Sequence, residues 1–245
     1  MSFQYCETHT LFPHLTYQGG MSPEYTSLDR PEAYQVLLTK IAATQYPWLI
    51  LTELKQLITQ LIDGVDHNLS SLFCDHSDFK FHDIAANCLI EKGATIESFV
   101  TIKGPAYISA GSTIRSGAYL RGGVFLGPHS LVGHSTEVKH SIFLSSAKAA
   151  HHCYVGDSII GQKVNLGAGT TTGNVRFDKK TVVIRNPSGD TLSTKRNKLG
   201  AFFGDHAQTG CQVITNPGTI IPAHAWIKPG LEVKHLAESA RKNTL

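Results

Sequence analysis

Between His151 and Asn174 the sequence reads H-H-C-Y-V-G-D-S-I-I-G-Q-K-V-N-L-G-A-G-T-T-T-G-N, a run dense in groups that can do chemistry. An imidazole titrates near neutral pH, so His151 can accept a proton from a reacting group under mild conditions. Gly167 and Gly169, on either side of Ala168, form a turn whose backbone amides can hold an oxyanion. Upstream, Arg121 and Lys139 read, taken alone, as surface charges.

Groups like these need a rigid support, and the flanking sequence supplies one. Ile90, Ile96, Ile102, Ile108, Ile114, Leu120, Leu126, Val132, Val138 and Leu144 recur at every sixth position. Four residues after most of them comes a small or β-branched side chain: Ala94, Val100, Ala106, Ser112, Ala118, Val124, Ser130, Thr136. This is the hexapeptide signature of a parallel β-helix, in which three six-residue sides close a triangular coil and the aliphatics stack inward. The coils resemble the left-handed β-helix of hexapeptide-repeat acyltransferases, so the expected fold is an all-β solenoid, a left-handed parallel β-helix. After Leu144 the frame slips, with Val155, Ile160 and Leu166 as the next inward candidates. It returns with Phe203, Thr209, Thr215, Ile221, Ile227 and Val233. The polar stretch 173–198 reads as an excursion from the coil.

The first third differs. Residues 1–30 have no periodicity and read as a loose arm or an edge segment; Asp29 and Pro31 read as a helix start, and Ala33 to Thr44 has helical composition. Pro47 opens a second stretch, in which Leu54, Leu57, Ile58, Leu61, Ile62 and Val65 form one apolar stripe of an amphipathic helix. The expected organisation is an arm and short N-terminal helical region over 1–85, a coil domain over 86–235 and a tail over 236–245. Composition excludes several function classes. The net charge is only +3 and scattered, which argues against a nucleic-acid partner. No run of 18 apolar residues occurs, which argues against a membrane span. The five cysteines are odd in number and lack a C-x-x-C pair, a usage suited to a reducing cytoplasm. The 22 glycines are expected at the coil corners, and the 13 histidines stand out because imidazole titrates near neutral pH.

The segment from His151 closely resembles the acetyltransferase half of the bifunctional glucosamine-1-phosphate acetyltransferase / N-acetylglucosamine-1-phosphate uridyltransferase family, whose motif runs H-x-x-Y-x-G-D, then N-x-G-A-G-T-x-T, then N. The similarity covers about 88–233, and T-T-G-N-V-R-F-D, K-L-G-A-F-F-G-D and N-P-G point to its archaeal-type branch. The resemblance implies that His151 is the general base. It implies that Tyr154 and Asn165 contact the amino sugar, that Asn174 and Lys180 line the same pocket, and that Arg121 and Lys139 bind phosphate. Ala168 and Cys211 then fall beside acetyl-CoA, the co-substrate, with no metal needed for acetyl transfer. The implied activity is N-acetylation of a hexosamine 1-phosphate, glucosamine 1-phosphate first, in UDP-N-acetylglucosamine biosynthesis. The implied assembly is a cytoplasmic homotrimer with sites between subunits. Two positions depart from the family: Val175 replaces an aromatic, and Cys211 stands where Ser or Ala is usual. No G-x-G-T-R-M loop occurs, so no uridyltransferase activity is expected.

Two rival readings remain. One is a zinc trimer like the γ-class carbonic anhydrases, drawing on His129, His134 and His140. The other is a non-catalytic scaffold that keeps the sugar-phosphate pocket. His152, beside His151, is expected to point to the other side of the local strand and to take no part in catalysis.

Overall fold

The computed structural model describes residues 4–15, 32–64, 83–185 and 188–235. The expectations for Asp29, Pro31, Val65 and the tail 236–245 concern positions outside those residues.

From Asp83 to Val233 the chain winds as a parallel solenoid. A single coil consists of strands Val124–Leu126, Leu131–His134 and Glu137–Lys139. The next coil, Ser141–Phe143, Lys148–His151 and Tyr154–Gly156, pairs with it strand for strand, and all pairs are parallel. Repetition yields three sheets of seven, seven and eight strands. Each strand is only two to four residues long, so its backbone groups are satisfied by the coils on either side. The aliphatics at six-residue spacing fill the interior: Ile102, Ile108, Ile114, Leu120, Leu126, Val132 and Val138 are fully buried in one cluster. Burying each such side chain is worth about 1.5–3 kcal/mol. The small residues four positions on, such as Val100, Ser112, Ala118 and Thr136, are buried as well.

Leu144 is an exception. The register pairs Leu126 with Phe143, and Phe143 with Ile160, so the inward residue is Phe143. Leu144 points outward into a second apolar cluster. The frame therefore slips one residue earlier than the spacing predicts, because two successive coils take seventeen residues rather than eighteen.

That second cluster forms on the outside of the sheet that contains Val124–Leu126. Leu89, Tyr107, Phe125, Ile142, Ile159, Phe202 and Ile220 project outward there, and two helices cover them. The first, α1 (Glu32–Ala42), buries Tyr34, Leu37, Leu38 and Ile41; the second, α2 (Ile50–Asp63), buries Ile50, Leu51, Leu54, Leu57 and Ile58. Tyr107 stacks on Phe125 at 4.8 Å and Trp48 meets Phe202 edge-on at 5.9 Å. Leu61 and Ile62 of the predicted stripe pack against the same cluster. Residues 4–15 are not a loose arm. They form short helical turns in which Cys6, Leu11 and Phe12 are fully buried, and the carbonyl of Leu11 accepts the Asp205 amide of the coil at 2.9 Å.

The corners also depart from expectation. Among the described residues, nine glycines and fourteen non-glycines have positive φ. One corner column runs Gly93, Gly111, His129, Ser146, Lys163, His206, His224, all left-handed. Histidine tolerates that region better than most side chains, and His129, His140, His152, His206, His224 and His235 all occupy it. Much of the histidine count is thus backbone geometry.

After Thr172 the chain leaves the coil, forms an antiparallel hairpin from Val183–Arg185 and Thr191–Ser193, and returns at Ala201–Phe203. Val182, Ile184 and Leu199 anchor this excursion in the helix-covered cluster.

Candidate active site

The eight-stranded sheet places several of the predicted residues side by side. Tyr154 sits on strand Tyr154–Gly156, in register between Glu137 below and Thr171 above. At the end of that strand the chain turns through Asp157, whose φ of 50° bends the backbone round the corner. The turn aims the Asp157 carboxylate back across the strand. Its Oδ2 accepts a hydrogen bond from Lys139 Nζ at 2.8 Å and one from Asn174 Nδ2 at 2.6 Å. The same Asn174 amide donates to the Tyr154 hydroxyl at 3.2 Å. Lys139, Asp157, Asn174 and Tyr154 thus form one connected polar group, drawn from three coils. Asp157 is 3% exposed and Lys139 23%, so the pair is sheltered on one side and wet on the other.

Gly156 makes this arrangement possible. A Cβ there would stand 2.7 Å from the Tyr154 hydroxyl and 2.8 Å from Asn174 Nδ2, too close for either. Burial, with the carboxylates of Asp157 and Glu137 nearby, pushes the Tyr154 phenol above its ordinary pKa, so it remains a neutral hydroxyl. Arg121, one coil below Lys139, donates to Glu137 Oε1 at 2.9 Å, and that partner raises its pKa further. Both predicted phosphate-binding cations therefore face a carboxylate.

His151 stands at the neighbouring corner, where the seven-stranded sheet containing Leu131–His134 turns toward the Tyr154 strand. It is exposed, and among the described residues no side-chain hydrogen bond holds its ring. His134, in register one coil below, has Nδ1 2.7 Å from the Ser116 carbonyl. His152 lies in the left-handed turn rather than on the strand, with its ring edge-on to His134 at 5.5 Å. The next coil above brings Ala168 and Gly169, where the Gly169 amide donates to the His151 carbonyl at 3.0 Å. Above that, Gln212, beside Cys211, donates its amide to the Ala168 carbonyl at 2.7 Å. His151, Ala168 and the exposed Cys211 therefore share one corner column.

Two predicted residues stand apart within one chain. Asn165 lies on the seven-stranded sheet, paired with Lys148 and Gln208, round the corner from Tyr154. Lys180 is exposed in the excursion, where its amide donates to Asp178. The three histidines of the zinc reading stand at different corners, and His140 is turned under α2 with Nε2 2.8 Å from the Leu51 carbonyl. Among the described residues, no three of His, Cys, Asp or Glu cluster as metal ligands.

Sequence reasoning assigned no role to Asp157, Glu137 or Gly156. The signal for two of them was present, since Asp157 and Gly156 are the last letters of H-x-x-Y-x-G-D. A buried carboxylate that follows a glycine in such a motif has to satisfy something.

The family model of the GMPPB C-terminal domain matches residues 102–229. Among known relatives, the chain is 48% identical over 102 residues to a bifunctional sugar-1-phosphate nucleotidylyltransferase/acetyltransferase of Sulfurisphaera tokodaii, covering 42% of this chain and 25% of that one. It is 45% identical over 186 residues to a bifunctional GlmU protein of Methanococcus maripaludis, covering 74% of this chain and 42% of the relative. The chain thus spans less than half the length of the relatives it matches. The family match takes in just over half of the chain and contains every residue of the polar group around Asp157, and on that ground the protein belongs to the GMPPB C-terminal domain family.

Proposed function

We propose that the protein is an acetyl-CoA-dependent N-acetyltransferase that acts on a hexosamine 1-phosphate, glucosamine 1-phosphate first, in the biosynthesis of nucleotide sugars. The observation that carries this reading is the Lys139–Asp157–Asn174–Tyr154 group, in which Tyr154 stands three positions along the chain from the exposed His151. The names of the relatives support it, since one is a bifunctional sugar-1-phosphate nucleotidylyltransferase/acetyltransferase and the other a bifunctional GlmU protein.

In this reading the sugar lies over the Tyr154 strand with its phosphate toward Lys139 and Arg121. Its amine lies toward the His151 corner. The amine attacks the thioester carbonyl, forming a C–N bond; the C–S bond breaks, the amine proton passes to the His151 imidazole, and the thiolate leaves to be protonated. Base catalysis of this kind contributes roughly 10²- to 10⁴-fold. Acetyl-CoA runs along the corner column of Ala168 and Cys211, where turn amides polarise the carbonyl. Positioning of the two substrates supplies much of the rest.

Asn165 and Lys180 reach the sugar from a second copy of the chain, in a homotrimer whose sites lie between subunits. The expected compartment is the cytoplasm; among the described residues no helix is long and apolar enough to cross a membrane. Release of free coenzyme A thiol on adding glucosamine 1-phosphate to protein and acetyl-CoA tests the reading. Turnover that requires both the amine and the phosphate supports it, and no turnover with any hexosamine 1-phosphate overturns it.

A further inference from the structure

Behind the Asp157 corner, two basic side chains connect the candidate site to the helical layer. His140 follows Lys139 directly, and its left-handed backbone, φ 49°, swings the ring away from the site and under α2. There its Nε2–H donates to the Leu51 carbonyl at 2.8 Å. The slot is built for it: a Cβ on Gly123 would stand 2.7 Å from His140 Nδ1 and 3.1 Å from Lys55 Cγ. Arg196 comes from the returning limb of the excursion. It donates from Nη1 to the Thr52 hydroxyl at 3.0 Å and from Nε to the Lys198 carbonyl at 3.4 Å. The same limb then closes on the site, because the Leu199 amide donates to the Asn174 carbonyl and the Gly200 amide to the Asp157 carbonyl.

Charge explains why an arginine would be kept there. Arg121 is paired with Glu137, and Lys139 with Asp157, so each cation is offset by one anion. No carboxylate lies within ion-pair distance of Arg196 among the described residues, yet it feels the field of Asp157. Its surroundings are half-dry, and that burial holds the guanidinium below its ordinary pKa. A cation in such a place costs desolvation, which the attraction of Asp157 partly offsets. Counting these five groups, the corner carries one excess positive charge, and Arg196 supplies it.

We propose that Arg196 is a positioning residue of the sugar-phosphate site, held by Thr52 of the helical layer, and that it balances Asp157 so that the corner as a whole keeps a net positive charge to offer a phosphate. The inference rests on the hexosamine 1-phosphate reading above. It gives the N-terminal helices a part in substrate binding, although they contribute no group that touches the substrate.

The test compares wild type, Arg196→Gln, Arg196→Lys, Thr52→Val and the Arg196→Gln/Thr52→Val double variant, using two readouts. Calorimetry measures glucosamine 1-phosphate binding without turnover, and thiol release gives KM for each substrate. Arg196→Gln is expected to weaken sugar-phosphate binding about tenfold, with the KM for acetyl-CoA unchanged. Arg196→Lys should restore part of the loss. Thr52→Val should weaken binding to a smaller degree, and the double variant should be no worse than Arg196→Gln, because Thr52 acts only through Arg196. Unchanged sugar-phosphate affinity in Arg196→Gln overturns the proposal, as do equal losses for both substrates or additive losses in the double variant. If wild type binds the sugar phosphate without acetylating it, the acetyltransferase reading fails and the affinities still decide the role of Arg196. If wild type does not bind it, both fall.

Discussion

Asn174 donates from Nδ2 to Oδ2 of Asp157 across 2.6 Å, tying the first turn of the excursion to the corner of the coil beneath it. The same oxygen takes the Lys139 ammonium at 2.8 Å, so one buried carboxylate holds both a residue predicted to line the sugar pocket and a predicted phosphate contact. Asp157→Asn keeps the shape but turns an acceptor into a group that brings its own N–H donors toward two existing ones. We expect a loss of about 2–3 kcal/mol in urea unfolding, less than a fully buried pair would give because Lys139 keeps water. Sugar-phosphate binding should fall with it. Unchanged stability together with unchanged affinity would show that the carboxylate organises nothing.

Gly156→Ala tests the close approach of Tyr154 and Asn174. The added methyl would stand within 3 Å of both side chains, so both must give way by most of an ångström. Misplacement on that scale costs on the order of 10²-fold in kcat/KM. Steady-state kinetics at saturating acetyl-CoA would show it, and wild-type kinetics in a folded Gly156→Ala protein would mean that the Tyr154–Asn174 contact is irrelevant.

The helical layer is structural as well as positional. Trp48 is 2% exposed and meets Phe202 on the coil. Trp48→Ala should cost about 3–5 kcal/mol through the cavity it leaves. Chemical denaturation followed by circular dichroism measures this. A cost below 1 kcal/mol would mean that the helices ride loosely on the coil.

His140 should make stability depend on pH. Burial holds its imidazole below the ordinary value; Asp157 pulls the other way, and the Arg196 and Lys139 charges assist the burial. A depressed folded pKa means that the unfolded chain binds the proton more readily. The stability it brings is therefore complete above about pH 6.5 and is lost as pH falls below that toward the folded value. His235 is shifted in the same direction, so the comparison has to be made against a variant. The fall in Tm between pH 7.5 and 5.5 should be smaller in His140→Gln than in wild type. Parallel curves would contradict the assignment.

The coil could be read from residue types because its physics repeats: an aliphatic every six residues has only one way to be buried, and Ile102 to Val138 obey it. The rule failed at Leu144, where a seventeen-residue coil moved Phe143 inside, and one deleted residue leaves no trace in side-chain type. The outward ladder of Leu89, Tyr107 and Phe125 recurs at coil spacing and marked the surface that the helices cover, but its period is three times that of the inward repeat. The candidate site was legible in part where a motif fixes the spacing: Tyr154 and Asn174 meet, whereas Asn165 of the same segment lies round the corner, and Asp157, inside the motif, was passed over. Arg196 was not legible, because its meaning depends on Thr52, 144 positions away in sequence, and on a hairpin that returns it to Asp157.

The rate of coenzyme A thiol release with glucosamine 1-phosphate, measured for wild type and His151→Ala at pH 7.5 under saturating acetyl-CoA, tests the central claim most directly. The account predicts robust turnover by wild type and a kcat lower by about 10²- to 10⁴-fold in His151→Ala, with sugar-phosphate affinity retained. Equal rates in the two proteins would contradict it.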